Sequence, residues 1–182
     1  MIQQIPEDAR ALLKHHYGRL RKYLAVRGCT PELLEKNAAD AILIVVHSWG
    51  QYQSDGQSPL ESLYTVATTL CREQNSNCCR ILVLEGEIHA EPDSKSTSFG
   101  DAGDSTVGNS EVKAAVWLAL AKTELPLRVV LWLRQVEKFD VKQTADILQI
   151  PEGTVRAREY HGERMFKGLL RATRTPQARE RA

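Results

Sequence analysis

Residues 141–160 have the sequence VKQTADILQIPEGTVRAREY, which is the pattern of two short helices joined by a tight turn. Ala145 stands four residues after Val141, where two helices that cross near a right angle need a small side chain. The turn follows at residues 149–151, and the apolar Val155 begins the second helical segment. This spacing predicts a helix-turn-helix, whose second helix enters the major groove of DNA. An ordinary helical hairpin is the alternative for this window.

Gln149 occupies the turn position where glycine is usual, because the backbone of this motif tends to be left-handed there. Glutamine can adopt the left-handed conformation at some energetic cost. We therefore expect a positive φ at Gln149.

Apolar residues at helical spacing continue through most of the chain. The predicted helices cover about residues 11–27, 30–49, 60–72, 111–125, 127–137, 141–148 and 152–171. Thr30 and Pro31 are typical of a helix start. The run Ala41–Val46 would also suit a buried strand, but no turn signal separates it from the helical segment before it. The polar residues 50–59 (GQYQSDGQSP) are predicted to form a loop.

Charge is unevenly distributed along the chain. Residues 1–83 carry nine Lys and Arg against eight Asp and Glu, residues 84–111 carry one against seven, and residues 112–182 carry 14 against eight. A basic segment beside an acidic one is typical of a polyanion-binding module with an acidic linker. The linker also has too few large apolar residues to offset its ordering entropy.

These patterns predict an all-α fold made of two small helical domains. The predicted domains are residues 1–84 and residues 111–175, and the second contains the helix-turn-helix. A flexible acidic linker, residues 85–110, joins them, and residues 176–182 form a tail.

Several classes of protein are not favoured. No run of about 18 apolar residues could form a membrane span, and the first residues do not resemble a secretory signal, so we expect a cytoplasmic protein. No glycine-rich phosphate loop, H-E-x-x-H motif or Ser-His-Asp context indicates an enzyme or a cofactor. We therefore predict a protein that is not an enzyme and has no cofactor.

The four cysteines do not have the spacing of a metal site. Cys29, Cys71, Cys78 and Cys79 lack a C-x-x-C pair. A zinc site that combines them with His89 is an alternative. Reduced thiols, some of them buried, agree better with a cytosolic protein, so no metal is predicted.

The window Leu125–Arg158, LPLRVVLWLRQVEKFDVKQTADILQIPEGTVRAR, resembles the C-terminal domain of extracytoplasmic-function sigma factors of bacterial RNA polymerase. The shared features are a Leu-Pro-x-Arg start, an acidic residue before a short turn, Ala and Leu in the first helix, and Gly-Thr-Val-Arg at the recognition helix. They fall here on Leu125, Pro126, Arg128, Glu137, Ala145, Leu148, Gly153, Thr154, Val155 and Arg156.

The first half of the chain is similar to the sigma domain that binds the polymerase clamp and captures the −10 element. Asp40 and Trp49 fall where the family has an acidic residue and an aromatic residue in its clamp-binding helix. Residues 60–70 (LESLYTVATTL) resemble the family segment Trp-Leu-Tyr-Arg-Ile-Ala, and the fit is at Leu63, Tyr64 and Ala67.

Departures from the family pattern cluster in the same segment. Ser62 replaces the family's Trp, Thr65 its usual Arg, and Thr69 a common Asn. The Arg run that normally follows is reduced to Arg72 and Arg80, although such cations supply much of the affinity for DNA phosphates. The promoter-melting half is therefore degenerate in sequence.

The resemblance implies that the recognition helix binds the −35 element. Arg156 would pair with guanine, Ala157 would contact a thymine methyl, and Tyr160 would pack on a base edge or a sugar. His161 would contact phosphate weakly unless protonated. The remaining implied contacts are to the DNA backbone, and they involve Lys142, Gln143, Thr154 and Arg158. For Thr154, capping of its own helix is the alternative to binding phosphate.

The resemblance also implies polymerase contacts. The clamp would be met by Asp40, Ile44 and His47, which share one helix face, and the flap by residues 125–132 with Arg128. Most apolar positions of residues 125–132 also suit plain core packing. The loop Gln51–Pro59 would hold a flipped non-template base.

The function that follows is that of a promoter-specificity subunit, with polymerase core and promoter DNA as partners and an anti-sigma protein as a further expected partner. One alternative is a sigma-like activator that binds −35 DNA and polymerase but cannot melt promoters alone. Another is a regulator of the LuxR type, which shares the helix-turn-helix.

Overall fold

The computed structural model describes residues 7–54, 58–74 and 106–174, and every regular element in these ranges is helical. The first half contains α1 (Glu7–Val26), α2 (Pro31–His47), α3 (Trp49–Ser54) and α4 (Pro59–Gln74). The second half contains α5 (Thr106–Lys122), α6 (Leu125–Leu131), α7 (Val141–Leu148) and α8 (Glu152–Arg174), and a π-helical turn (Trp132–Val136) continues α6. The all-α prediction is confirmed. No helix in the described ranges is long and apolar enough to cross a membrane.

The start of α2 follows the predicted chemistry. The Thr30 hydroxyl accepts a hydrogen bond from the Leu33 amide, and Pro31 is the first helical residue, where its missing N–H costs nothing. The helix continues to His47, so residues 41–46 are helical and the strand alternative is wrong. Buried Val45 and Ala41 lie on the core face of this helix.

Two boundaries differ from the sequence-based expectation. Residues 50–54, predicted as loop, belong to α3, which is anchored by the buried Trp49. The polar residues of α3 show no apolar spacing typical of a helix, which is why a loop was predicted. The packing of Trp49 in the core outweighs this local preference. The helix α5 begins at Thr106, inside the predicted linker, which ended at residue 110. The rest of the linker (85–105) and the predicted tail lie outside the described residues.

Aromatic and aliphatic side chains fill the core of the first half. Leu20, Tyr23, Leu63 and Tyr64 are fully buried. The Tyr23 hydroxyl lies 2.7 Å from the Thr68 hydroxyl, so the polar end of this buried ring is satisfied. The ring centroids of Tyr23 and Tyr64 are 5.1 Å apart in an edge-to-face contact. This core fixes α4 against α1 and α2.

Two of the four cysteines lie beside each other in this core. The Sγ atoms of Cys29, after α1, and Cys71, in the last turn of α4, are 2.7 Å apart. The contact with the second thiol and burial raise the pKa of Cys29 above its ordinary value. Cys78, Cys79 and His89 lie outside the described residues, and the described residues contain no cluster that could hold a metal ion.

The second half builds the predicted helix-turn-helix. Buried Ala145 lies in α7 at the crossing, and Val155, at the start of α8, is completely buried. Gln149 has φ 54° and ψ 49°, so the expected left-handed conformation is confirmed. Asp140 and Gln143 form a reciprocal capping box at the start of α7, with both hydrogen bonds at 2.8 Å.

The two halves of the chain share one hydrophobic core. The ring of Tyr64 in α4 contacts that of Phe139, with centroids 5.2 Å apart. Arg19 of α1 forms a 3.0 Å ion pair with Glu137, whose side chain is 1% exposed, and donates to the carbonyl of Val136 at 3.0 Å. The division into two domains remains a prediction, but in this structure the predicted domains are packed together.

Replacing Gln149 by glycine tests the strain in the turn. A left-handed conformation costs a residue with a Cβ atom roughly 1 kcal/mol, and glycine avoids that cost. We expect Gln149→Gly to exceed Gln149→Ala in the free energy of unfolding by about 1 kcal/mol, measured by urea denaturation. Both variants lose the same side-chain amide, so their difference isolates the backbone term. Equal stability of the two variants would contradict this account.

The stability of the protein should depend on pH through His16. Burial, with smaller contributions from His15 and Arg19, lowers the pKa of His16 from 6.5 to about 4. In the unfolded chain His16 is therefore protonated below about pH 6.5, whereas in the folded chain it is protonated only below about pH 4. The free energy of unfolding should fall as the pH decreases through this window. In His16→Gln this part of the decrease should disappear, and an identical pH profile would count against it.

Candidate nucleic-acid and polymerase interfaces

Polar and steric contacts fix the direction of α8. The Arg134 Nε atom lies 3.1 Å from both carboxylate oxygens of Glu159, and this bifurcated hydrogen bond joins the π-helical turn to α8. Gly162 lies where α8 crosses α6. A Cβ atom built there would be 3.1 Å from Cγ of Leu131, so glycine permits the close approach of the two helices. These contacts hold α8 against α6 and the π-helical turn.

Four predicted base-reading residues lie together on the exposed surface of α8. Arg156, Ala157, Tyr160 and His161 are all exposed, and Tyr160 retains 64% of its accessible surface. The rings of Tyr160 and His161 are 5.5 Å apart, so they form one edge of this surface. We call these four residues the α8 reading face.

Arg156 has an intramolecular partner within the reading face. Its Nη2 atom lies 3.1 Å from a carboxylate oxygen of Glu152, one helical turn earlier, and both side chains are about half exposed or more. Such an exposed pair contributes little stability, about 0.3–0.5 kcal/mol. The guanidinium can therefore exchange this carboxylate for another acceptor, such as a guanine edge, at small cost.

The remaining predicted contacts on α8 line a groove against α6. Thr154 and Arg158 are half-buried, and with Ala157 and His161 they border an open cavity of about 630 Å³. The cavity is completed by Glu124, Leu127, Gly153 and Met165. Thr154 is the third residue of α8, so it does not occupy the capping position that begins the helix.

The predicted contacts on α7 are divided. Lys142 is exposed, while Gln143 is half-buried and has two partners. Its side-chain oxygen accepts from the Asp140 amide, and its side-chain nitrogen donates to the carboxylate of Glu61 in α4. The sequence contained the signal for the first contact, because D-x-x-Q has the spacing of a capping box. It contained none for the second, which joins residues 82 positions apart.

The predicted clamp residues lie on the outer face of α2. Asp40 is half-buried, Ile44 is 42% exposed and His47 is exposed. Leu43, beside them, is 64% exposed, and the sequence-based reasoning missed it. Its position three residues after Asp40 places it on the same face, which could have been read from the helical period. Two adjacent exposed aliphatic side chains on one helix suit a protein partner.

Arg128, predicted to meet polymerase, is 2% exposed in this structure. Its Nε atom donates to the carbonyl oxygen of Val26 at 2.7 Å, which joins the start of α6 to the end of α1. The neighbouring positions Val129, Val130, Leu131 and Trp132 are also buried. A polymerase contact through Arg128 therefore requires the two halves to separate.

The hydroxyl side chains that depart from the sigma pattern form hydrogen bonds to backbone carbonyls one turn earlier in the chain. The hydroxyl of Thr65 donates to the Glu61 carbonyl at 2.9 Å, and that of Thr69 to the Thr65 carbonyl at 3.1 Å. Ser62 is nearly buried and donates to the Ser58 carbonyl at 3.3 Å. Such hydroxyls satisfy backbone acceptors of their own helix. Arg80 and residues 55–57 of the predicted base-holding loop lie outside the described residues.

Comparison with known proteins shows the fold of a sigma factor. No protein-family model matches the chain, and no curated protein matches it. The structure is similar to that of the sigma factor RpoE from Bartonella quintana, which was crystallised in complex with the anti-sigma factor NepR. The TM-score is 0.57 at 16% identity, and the match covers 91% of this chain and 98% of that one.

Arg128→Met tests whether this buried arginine holds the halves together. Methionine keeps the length of the side chain but cannot donate to the Val26 carbonyl, which would lose a buried donor. We expect the free energy of unfolding to fall by about 1–3 kcal/mol, measured by urea denaturation. Arg164→Met, an equal change at an exposed position of α8, should alter it by less than about 0.5 kcal/mol. Equal effects of the two substitutions would contradict the structural role.

Proposed function

We propose that this protein is a promoter-specificity subunit of bacterial RNA polymerase, a sigma factor of the extracytoplasmic-function type. The observation that carries the proposal is the likeness to a sigma factor, which extends over 91% of the chain and therefore includes both halves. A regulator of the LuxR type would account only for the helix-turn-helix of the second half. The surfaces that remain exposed agree with the proposed activity.

The α8 reading face would bind the −35 element in the major groove. Arg156 would donate two hydrogen bonds to one guanine, and Ala157 would contact a thymine methyl. Lys142 at the exposed start of α7 would contact the DNA backbone, as the first helix of this motif does. The sequence preference of the protein would then depend on very few side chains.

The outer face of α2 would bind the polymerase clamp. Leu43 and Ile44 supply the apolar part of this surface, and Asp40 and His47 lie beside them at helical spacing. An apolar centre with polar neighbours is the usual anatomy of a protein interface. These side chains are accessible while the two halves of the chain remain packed together.

A sigma-like activator that does not melt promoters alone is the second candidate. It is favoured by the chemistry of α4, where the Thr65 and Thr69 hydroxyls bond to their own helix and Arg72 is bonded to the second half. These positions offer little to a single-stranded −10 element, which needs cations for phosphates and aromatic surfaces for bases. Such a protein would bind polymerase and −35 DNA but would leave melting to another subunit.

An anti-sigma protein is the further partner of this proposal. The structural neighbour was crystallised with such a partner. A regulator of this kind would have to cover the α8 reading face or the outer face of α2, because both remain open in the isolated chain.

Reconstitution with bacterial core polymerase tests the proposal. The purified protein would be combined with core enzyme on a library of promoter fragments, with transcript and permanganate-sensitive thymines as the two readouts. Transcript together with an open bubble supports the sigma factor. Binding to core enzyme or −35 DNA without a bubble supports the activator, and binding to neither contradicts both.

Substitution of Arg156 tests the reading face. We expect Arg156→Ala to lose about 1–3 kcal/mol of discrimination at one base pair of the selected −35 sequence, measured as relative affinities for duplexes that vary at each position. Arg164→Ala is the matched control, because it removes the same charge from an exposed position of the same helix. It should weaken binding to all duplexes uniformly and keep their ranking. A uniform loss with Arg156→Ala would remove it from the reading face.

A further inference from the structure

A carboxylate of the first half lies at the N-terminus of the first helix of the helix-turn-helix. Glu61, in the first turn of α4, accepts a hydrogen bond from the side-chain nitrogen of Gln143, the third residue of α7. The side-chain oxygen of Gln143 is held by the Asp140 amide at 2.8 Å, so the capping box fixes which way its nitrogen points. The contact is therefore made by a side chain that is already oriented.

The N-terminus of α7 is also where bound DNA would place a phosphate. The first helix of a helix-turn-helix crosses the DNA backbone, and the dipole of a helix favours anions at its N-terminus. Glu61 is an anion in direct contact with this helix start. The carboxylate and a phosphate would bind the same donor, and their like charges oppose simultaneous binding.

The opposite end of α7 makes a contact of opposite charge. Arg72, in the last turn of α4, donates to the carbonyl of Leu148 at 3.3 Å and to the side-chain oxygen of Gln149 at 3.1 Å. A cation is favoured at a helix C-terminus as an anion is at the N-terminus. The helix α4 thus places a carboxylate at the positive end of the α7 dipole and a guanidinium at its negative end.

An apolar contact lies between these two polar ones. Tyr64, one turn after Glu61, is fully buried and packs edge-to-face on Phe139, just before α7. The three contacts together align α4 with α7. They also engage Gln143 and Arg72, two groups that could otherwise contact nucleic acid.

We propose that α4 is an autoinhibitory element, in which Glu61 takes the place of a DNA phosphate at the start of α7 and keeps the two halves closed. This inference rests on the proposed function, since it requires that α7 and α8 bind DNA. The closed chain binds promoter DNA weakly because the duplex must displace Glu61. Leu43 and Ile44 on α2 stay exposed in the closed chain, so polymerase can bind before the halves separate.

The experiment compares Glu61→Ala with Glu73→Ala. Both substitutions remove one carboxylate from α4, so they raise the net charge and the general attraction to DNA equally. Glu73 is exposed, and no hydrogen bond or ion pair between described residues joins it to α7. The full-length chain would be tested by fluorescence anisotropy on a −35 duplex and by small-angle X-ray scattering without DNA.

We expect Glu61→Ala to bind the duplex roughly three- to tenfold more tightly than wild type, as loss of a competing charge-assisted hydrogen bond predicts. Glu73→Ala should change the affinity by less than about twofold. The radius of gyration should increase in Glu61→Ala and stay at the wild-type value in Glu73→Ala. The isosteric Glu61→Gln serves the same comparison if circular dichroism shows that the alanine variant has lost helix.

Two different failures are distinguishable. Equal affinities and equal radii of gyration for the two variants would overturn the autoinhibitory role, even if the wild-type protein binds promoter DNA. If neither the wild-type protein nor any variant binds DNA or core polymerase, the proposed function is refuted instead. In that case an increased radius of gyration in Glu61→Ala would still show that Glu61 holds the halves together, but no inhibition would follow from it.

Discussion

Tyr64 lies at the centre of the shared core, fully buried between the rings of Tyr23 and Phe139. Close to it, the carboxylate of Glu137 accepts from the Trp132 indole at 3.0 Å and pairs with Arg19 of α1. Burial and the adjacent carboxylate raise the pKa of Tyr64 above its ordinary value, which keeps the phenol neutral. A buried carboxylate must keep its partners, because an uncompensated buried charge costs several kcal/mol. The placement of α1 and α4 against the second half depends on the Glu137 carboxylate and on the Tyr64 ring beside it.

The closed arrangement separates the candidate functional groups into two sets. The α8 reading face and the outer face of α2 remain exposed while the two halves are packed together. Gln143 and Arg128 form hydrogen bonds between the two halves, and Arg72, although exposed, donates to the end of α7. Interfaces within a chain commonly permit relative motion, since they resemble transient protein interfaces. Under the proposed function, partner binding would come first and full engagement of DNA would follow.

Local interactions explain where the sequence-based predictions succeeded. The Thr30 cap of α2 and the left-handed turn at Gln149 both depend on residues within a few positions of one another. Such contacts can be recognised from spacing alone. The short helix α3 was predicted as loop, because its helical state depends on the burial of Trp49 in a distant core. The exposed Leu43 was missed because its position on the α2 face did not reveal that this face lacks a cover in the folded chain.

The sequence by itself determined most of the helices, the Thr30 cap and the helix-turn-helix, and it placed the four residues of the α8 reading face on one side of a helix. These features depend on backbone geometry and on a period of about 3.6 residues per turn, which are local properties. Only the tertiary structure decided that Arg128 faces Val26, that Arg72 meets the end of α7, and that Glu61 meets Gln143. Those contacts join residues more than 70 positions apart, and no short-range pattern encodes them. They arise because two amphipathic halves bury their apolar faces against each other, and the polar groups at the margin must then find partners.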